Sequence, residues 1–204
     1  MSKEILEKIL MEEDVVSSIN NNINLLLTII PELENMLGFE HKHPHHHLDV
    51  WNHTLLALSR SPQNLEIRLV LLLHDIGKPF SYQEGEVRHF KGHSVVSSEI
   101  SKDILKRLNY NEKEIEEMCN LIREHDDLIT DEDIVKNREL AQKKFIVQFC
   151  DALAHNPAKL EKRIKYLLDI NNKLNEEEEN EKYNCILCNL KKDIEENENK
   201  GLLL

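Results

Sequence analysis

The chain has 204 residues, 40% of them hydrophobic, which is material for one well-packed domain. Its formal net charge of -12 speaks against a general nucleic-acid binder, because long polyanions are held by basic surfaces that release counterions. Only five Gly and five Pro leave little turn chemistry for a meander of strands, so an almost entirely α-helical protein is expected.

The first residues, Met-Ser-Lys-Glu-Ile, lack the apolar core of a secretory signal. From Lys3 to Ile30, apolar residues such as Ile5, Ile9, Val16, Ile19, Ile23 and Leu26 recur at helical steps. Pro31 starts a new segment that runs to Gly38. A His-rich loop follows at 41–47, read as native loop because it continues into Leu48-Asp49-Val50-Trp51-Asn52-His53, with a separate metal site in the loop as the alternative. A helix holding Trp51, His53, Leu55 and Leu56 comes next, and Ser61-Pro62 separates it from an apolar helix. That helix closes on Leu69 to Leu73 and runs directly into His74-Asp75-Ile76-Gly77-Lys78.

Residues 77–92 hold Gly77, Pro79, Gly85 and Gly92 and read as a loop long enough to cover a site. Amphipathic helices are predicted over 93–108 and 112–124, with capping pairs at Asn111/Glu114 and Thr130/Asp133. A further helix through Phe145, Ile146, Phe149 and Leu153 carries Asp151 near its end. Pro157 suits the first turn of the next helix, through Ile164, Leu167 and Leu168. Beyond Asn175, the acidic run Glu176 to Glu179 reads as a solvated linker, with a short helix near Tyr183 to Ile194.

Cys119, Cys150, Cys185 and Cys188 lie in helical patterns and form no disulfide framework. The pair Cys185-x-x-Cys188 lacks a second ligand pair and reads as core-facing thiols. No apolar stretch approaches the ~20 residues that span a bilayer. Together these features lead us to expect a cytoplasmic protein without membrane contact.

An imidazole and a carboxylate at the edge of a core need a partner, since burying either unpaired costs several kcal/mol. A metal ion is the expected partner of His74-Asp75. The dipeptide alone is weak, because His125-Asp126 repeats it, but His53, His93, His125 and Asp151 add weight. Imidazole and carboxylate suit divalent first-row metals. His53 and Asp151, on separate helices, can complete a shell begun by His74 and Asp75. If Asp75 bridges, His93 and His125 can hold a second ion at the roughly 3.5–4 Å spacing of two-metal hydrolases.

This ordered set resembles the signature of the HD-domain metal-dependent phosphohydrolases, an all-α superfamily. The stretches His43-Pro-His-His-His-Leu-Asp-Val-Trp-Asn-His53-Thr-Leu, His74-Asp-Ile-Gly-Lys-Pro and His89-Phe-Lys-Gly-His93 resemble the HD region of bacterial CCA-adding tRNA nucleotidyltransferases. The resemblance implies a single HD-type domain at 31–157, with accessory helices at 1–30 and C-terminal helices and an acidic tail at 158–204. Too few residues precede the motif for a nucleotidyltransferase head, so nucleotide addition is not expected.

Carried over by residue, the resemblance implies metal ligation by His53, His74, Asp75 and Asp151, with His93 and His125 facing a second metal or a phosphate. Asp75 and Lys78 are the expected catalytic residues. Lys78, Arg88, His89 and Lys91 are candidates for holding phosphate, Arg88 through a bidentate fork; the plain alternative for Lys78 is a helix-end cap. The implied cofactor is one or two divalent ions, drawn from Fe, Mn, Ni, Zn, Co or Mg. The expected reaction is hydrolysis of a phosphomonoester or phosphodiester by metal-activated water, with a nucleotide as the small phosphorylated partner, of the 2',3'-cyclic phosphodiesterase or nucleotidase type. A nucleotide-sensing module without turnover and a deoxynucleotide phosphohydrolase are the alternatives. Oligomeric state stays open.

Overall fold

Apolar periodicity translates directly into helices. The structure is a computed structural model that describes residues 1–175, and those residues are all-α, as expected. Among them, β pairing is confined to two isolated bridges, Glu40 with Asp49 and Gln83 with His89. The expected helix near Tyr183 to Ile194 and the Cys185-x-x-Cys188 pair lie outside the described residues.

Three short helices open the chain, α1 (Ser2–Leu10), α2 (Val15–Asn21) and α3 (Ile23–Ile29), followed by a 3-10 segment, Pro31–Met36. The periodic stretch is broken where Asp14 caps α2, its carboxylate accepting from the Ser17 amide at 2.9 Å. Leu6, Leu10, Ile19 and Leu26 are fully buried and share one hydrophobic cluster with the helices that follow.

Next come α4 (Val50–Ser59), capped by Asp49 onto the Asn52 amide at 2.7 Å, and α5 (Leu65–Leu73), capped by Asn64 onto the Ile67 amide at 3.0 Å. Leu69 to Leu73 are at most 1% exposed. A helix with no polar face is stable only when surrounded. Each leucine so buried contributes roughly 1.5–3 kcal/mol of transfer free energy, which fixes the end of α5 and so the position of His74. Arg68, buried on α5, donates from Nη1 to the Leu10 and Glu12 carbonyls at 2.5 and 2.8 Å, tying the exit of α1 to this central helix.

The segment expected as a loop at 77–92 departs from that reading. It opens with one helical turn, α6 (Lys78–Ser81), and its remainder is pinned by the Gln83–His89 bridge. Pro79 falls in the first turn of α6, where a missing N–H costs nothing. Beyond it run α7 (His93–Arg107), α8 (Glu112–Arg123), α9 (Asp131–Lys136), α10 (Arg138–Leu153) and α11 (Glu161–Asn175). Both expected capping pairs form reciprocal boxes, at the start of α8 and of α9. Pro157 opens a 3-10 turn, Pro157–Lys159, instead of the helix itself, because the Asn156 side chain caps the Ala158 amide at 3.1 Å; α11 begins only at Glu161.

α5 packs against α1, α4, α7, α8 and α10. Two glycines bring the next residues to its end. A Cβ on Gly77 would stand 2.5 Å from the Ser97 nitrogen and 2.6 Å from the His93 oxygen, so only glycine lets the end of α5 meet α7 this closely. Gly92, at φ +76°, turns the chain into α7 and makes His93 its first residue.

Candidate metal centre

Four histidines reach one point from four places. His53 comes from α4, His74 caps α5, His93 opens α7, and His125 lies just beyond α8. Each engages a backbone carbonyl through Nδ1: Ala154 at 3.1 Å, Leu71 at 2.7 Å, Phe90 at 2.9 Å and Ile122 at 2.7 Å, in that order. A carbonyl can only accept, so every Nδ1 carries a proton and donates it. In its neutral form each ring therefore presents the Nε2 lone pair inward, the tautomer a metal requires.

Asp75 lies among these nitrogens and is wholly buried. Its Oδ2 is 3.6 Å from His53 Nε2 and 3.3 Å from His74 Nε2; its Oδ1 is 3.3 Å from His93 Nε2 and 3.8 Å from His125 Nε2. Asp151, on the last turn of α10, brings Oδ1 to 2.9 Å from His53 Nε2 and 3.5 Å from His74 Nε2. The residues thus form two groups about one carboxylate. His53, His74 and Asp75 form one set of ligand atoms within 4.8 Å of each other, and Asp75, His93 and His125 form another.

The fit to divalent ions rests on atoms that protein alone leaves unsatisfied. His74 Nε2 and both oxygens of Asp75 are buried with no hydrogen-bond partner. His93 Nε2 and His125 Nε2 face each other at 3.2 Å, and two lone pairs so placed repel unless a cation stands near both. Lys78 Nζ lies 2.7 Å from Asp75 Oδ2, although no hydrogen bond is directed along that approach. The donor set of neutral imidazoles and carboxylates suits first-row metals.

Without an ion, the electrostatics charge one of these rings. Burial alone would raise the carboxyl of Asp75, yet His74 and Lys78 outweigh it and hold the group well below the usual range. Asp151 is likewise held low against burial, chiefly by His155, then by His53 and His74. Burial disfavours a charged His74, but Asp75 and Asp151 overcome it and push the imidazole up to about 10. A proton and a metal compete for that Nε2 lone pair. Burial lowers His53 and His125 instead, against the pull of Asp151 and Asp126 respectively.

Some residues at the centre escaped the sequence reading. His41, 1% exposed, donates from Nδ1 to the Leu48 carbonyl at 2.8 Å and accepts from Lys78 Nζ at 3.1 Å through Nε2. Burial, assisted by Lys78, pushes its imidazole down to about 2, so it serves as a neutral acceptor. His46 and His155 close the other side: His46, His53 and His155 form a third set of ligand atoms within 4.8 Å. Asp126 brings Oδ2 to 3.5 Å from His93 Nε2 and 3.7 Å from His125 Nε2. The repeated His-Asp dipeptide was the one available signal for Asp126. The density of the 41–47 loop was the signal for His41 and His46, and nothing in the sequence marked His155.

A cavity of about 350 Å³ opens over this centre. Its walls include Lys78, Phe90, His93, His125, Asp151 and His155, and also the loop candidates Arg88, His89 and Lys91. Arg88 also braces the loop: Nε donates to Glu84 at 2.7 Å, Nη1 donates to the Glu40 carbonyl at 2.6 Å, and the guanidinium lies over Phe39 and Tyr82. These bonds use two of its five N–H donors.

Comparison with known proteins matches the HD domain family model to residues 45–181, a span that contains both groups about Asp75. The chain is 35% identical over 118 residues to a CC-adding tRNA nucleotidyltransferase of Thermus thermophilus, an alignment covering 54% of this chain and 27% of that protein. It is 33% identical over 111 residues to an A-adding tRNA nucleotidyltransferase of Deinococcus radiodurans, covering 50% of this chain and 25% of that one. The matched part is thus about a quarter of the length of these curated relatives. Among the described residues, no helix is long and apolar enough to cross a membrane.

Proposed function

We propose a reaction for a chain that belongs to the HD domain family, a superfamily of metal-dependent phosphohydrolases whose members bind divalent ions: hydrolysis of a small phosphate ester, with a nucleotide as substrate. The observation that carries this reading is Asp75, a fully buried carboxylate whose two oxygens are each faced by a pair of imidazole Nε2 atoms. His53, His74, Asp75 and Asp151 would hold one ion and His93 and His125, with Asp75, a second. When bound, such ions activate water and polarise a phosphoryl oxygen.

The chain's own groups supply the rest. The Nδ1 anchors keep four rings aimed inward, so little reorganisation is needed when substrate arrives. Lys78, held between His41 and Asp75 beside the cavity, carries positive charge to where a phosphate oxygen would lie. Phe90 adds an apolar ring to the wall, a face on which a nucleobase can stack. The cavity is near the lower end of the roughly 300–1,000 Å³ range of small-molecule sites, which favours a mononucleotide or cyclic mononucleotide over a polymer.

The test is a screen of the full chain, supplemented in turn with Mn, Co, Ni, Zn and Mg, against nucleoside monophosphates, 2',3'-cyclic nucleotides and a generic phosphodiester. Hydrolysis that a chelator abolishes and metal restores is expected. Silence across all substrates by protein that contains metal would turn the reading toward nucleotide sensing.

A further inference from the structure

The two groups about Asp75 leave the third histidine set unexplained. His155 Nε2 lies 3.5 Å from Asp151 Oδ1, on a carboxylate that also faces His53 and His74. Asp151 Oδ1 therefore faces imidazoles of two sets, one oxygen serving both, whereas Asp75 turns a separate oxygen to each of its groups. The His46 ring packs edge-on to both its neighbours, at 4.5 Å from His155 and 5.0 Å from His53 between centroids. Its other face is stacked on His41 at 3.8 Å, which holds the ring in place. His46 Nδ1 is buried with no hydrogen-bond partner, and a buried ring nitrogen left so is costly unless a ligand meets it.

We propose that His46 and His155 hold a third divalent ion, to which Asp151 bridges from the central position. The centre then reads as a row: His93 and His125, then Asp75, then His53 and His74, then Asp151, then His46 and His155. Each buried carboxylate joins two neighbouring positions. The proposal rests on the metal-dependent reading of the same centre. Its ligands, two imidazoles and a shared carboxylate, suit Zn, Co, Ni or Fe over Mg or Ca. His46 and His155 also line the cavity, so this ion would meet a substrate oxygen on the side away from His93.

The probe is Co²⁺ alone, loaded on the full chain by equilibrium dialysis and counted by elemental analysis, with thermal melts to check that each variant is folded. His46→Ala and His155→Ala should each lower the saturating count by one ion relative to wild type. The double variant should also lose one ion and not two, since both side chains serve the same position. His155→Glu, which replaces one ligand by another, should restore it. Exposed histidines of the 41–47 loop add equally to every sample and drop out of the differences. A double variant that loads as much Co²⁺ as wild type overturns the third position and leaves the Asp75 centre standing. Loss of two ions in the double variant overturns it as well, by making the two residues independent. A wild-type chain that takes up no ion sinks both readings together.

Discussion

The chain carries the dipeptide His-Asp twice, and the two copies have different environments. His74-Asp75 follows five fully apolar residues on a helix surrounded by five others, so both side chains are driven inside, and Asp75 is wholly buried. His125-Asp126 follows α8, an amphipathic helix with one wet face. His125 turns inward at 2% exposed, whereas the Asp126 side chain keeps 52% of its surface in water and offers one oxygen to the His93 and His125 rings from outside. The same two residues thus yield a bridging carboxylate in one place and a peripheral one in the other. The character of the preceding helix decides between them.

The sharpest way to break this comparison is Asp75→Asn. It should remove the ions on both sides and lower hydrolysis by far more than the roughly 10–100-fold typical of losing a group that merely orients a ligand; metal content and turnover on folded protein decide it. A mutant that keeps a full complement of metal would refute the bridging role. His125→Ala should cost one ion only, leaving the His53, His74, Asp75 and Asp151 shell loaded, which elemental analysis reads directly. If both ions leave together, the two groups about Asp75 are not separable.

Lys78→Ala should lower kcat/KM by about 100-fold, as for loss of one charged donor at a reacting oxygen, with metal content close to wild type. Equal loss of metal would make Lys78 a structural neutraliser of Asp75. Gly77→Ala pushes a methyl into the Ser97 and His93 backbone and should destabilise by about 1–3 kcal/mol, the usual cost of overpacking, read as a fall in the denaturant midpoint. An unchanged midpoint would show that α7 shifts freely. Asp126→Asn should have the smallest effect, under about 10-fold in turnover, since an outer-shell partner sits at the low end of its range when half exposed. A loss matching that of Asp75→Asn would erase the distinction between the two dipeptides.

Much of this was legible in the chain. The α4, α5, α7, α8 and α10 helices follow from apolar spacing, and both capping boxes follow from Asn111/Glu114 and Thr130/Asp133, because these depend on neighbours within a turn or two. The placing of α6 was not legible: Lys78 to Ser81 is too short for a periodic signal, and Gly77 and Pro79 read as loop. The partners of Arg88, namely Glu40, Phe39 and Tyr82, were not legible either, since only the folding of the loop brings them to it.

The sequence by itself determined which kinds of side chain could meet, imidazoles and carboxylates at the ends of helices, and it determined the helices that carry them. Tertiary structure alone decided how they meet. His53 reaches Asp151 across 98 residues, and its Nδ1 finds the Ala154 carbonyl across 101. His46 and His155 come together only because the loop before α4 packs on the end of α10, where Asn156 donates its backbone amide to the His45 carbonyl at 2.8 Å and its side-chain amide to that of Pro44 at 3.0 Å. Periodicity reports which face of a helix is dry. It carries no information about which distant carbonyl will take a ring proton, and that bond sets whether a histidine presents its lone pair to the centre.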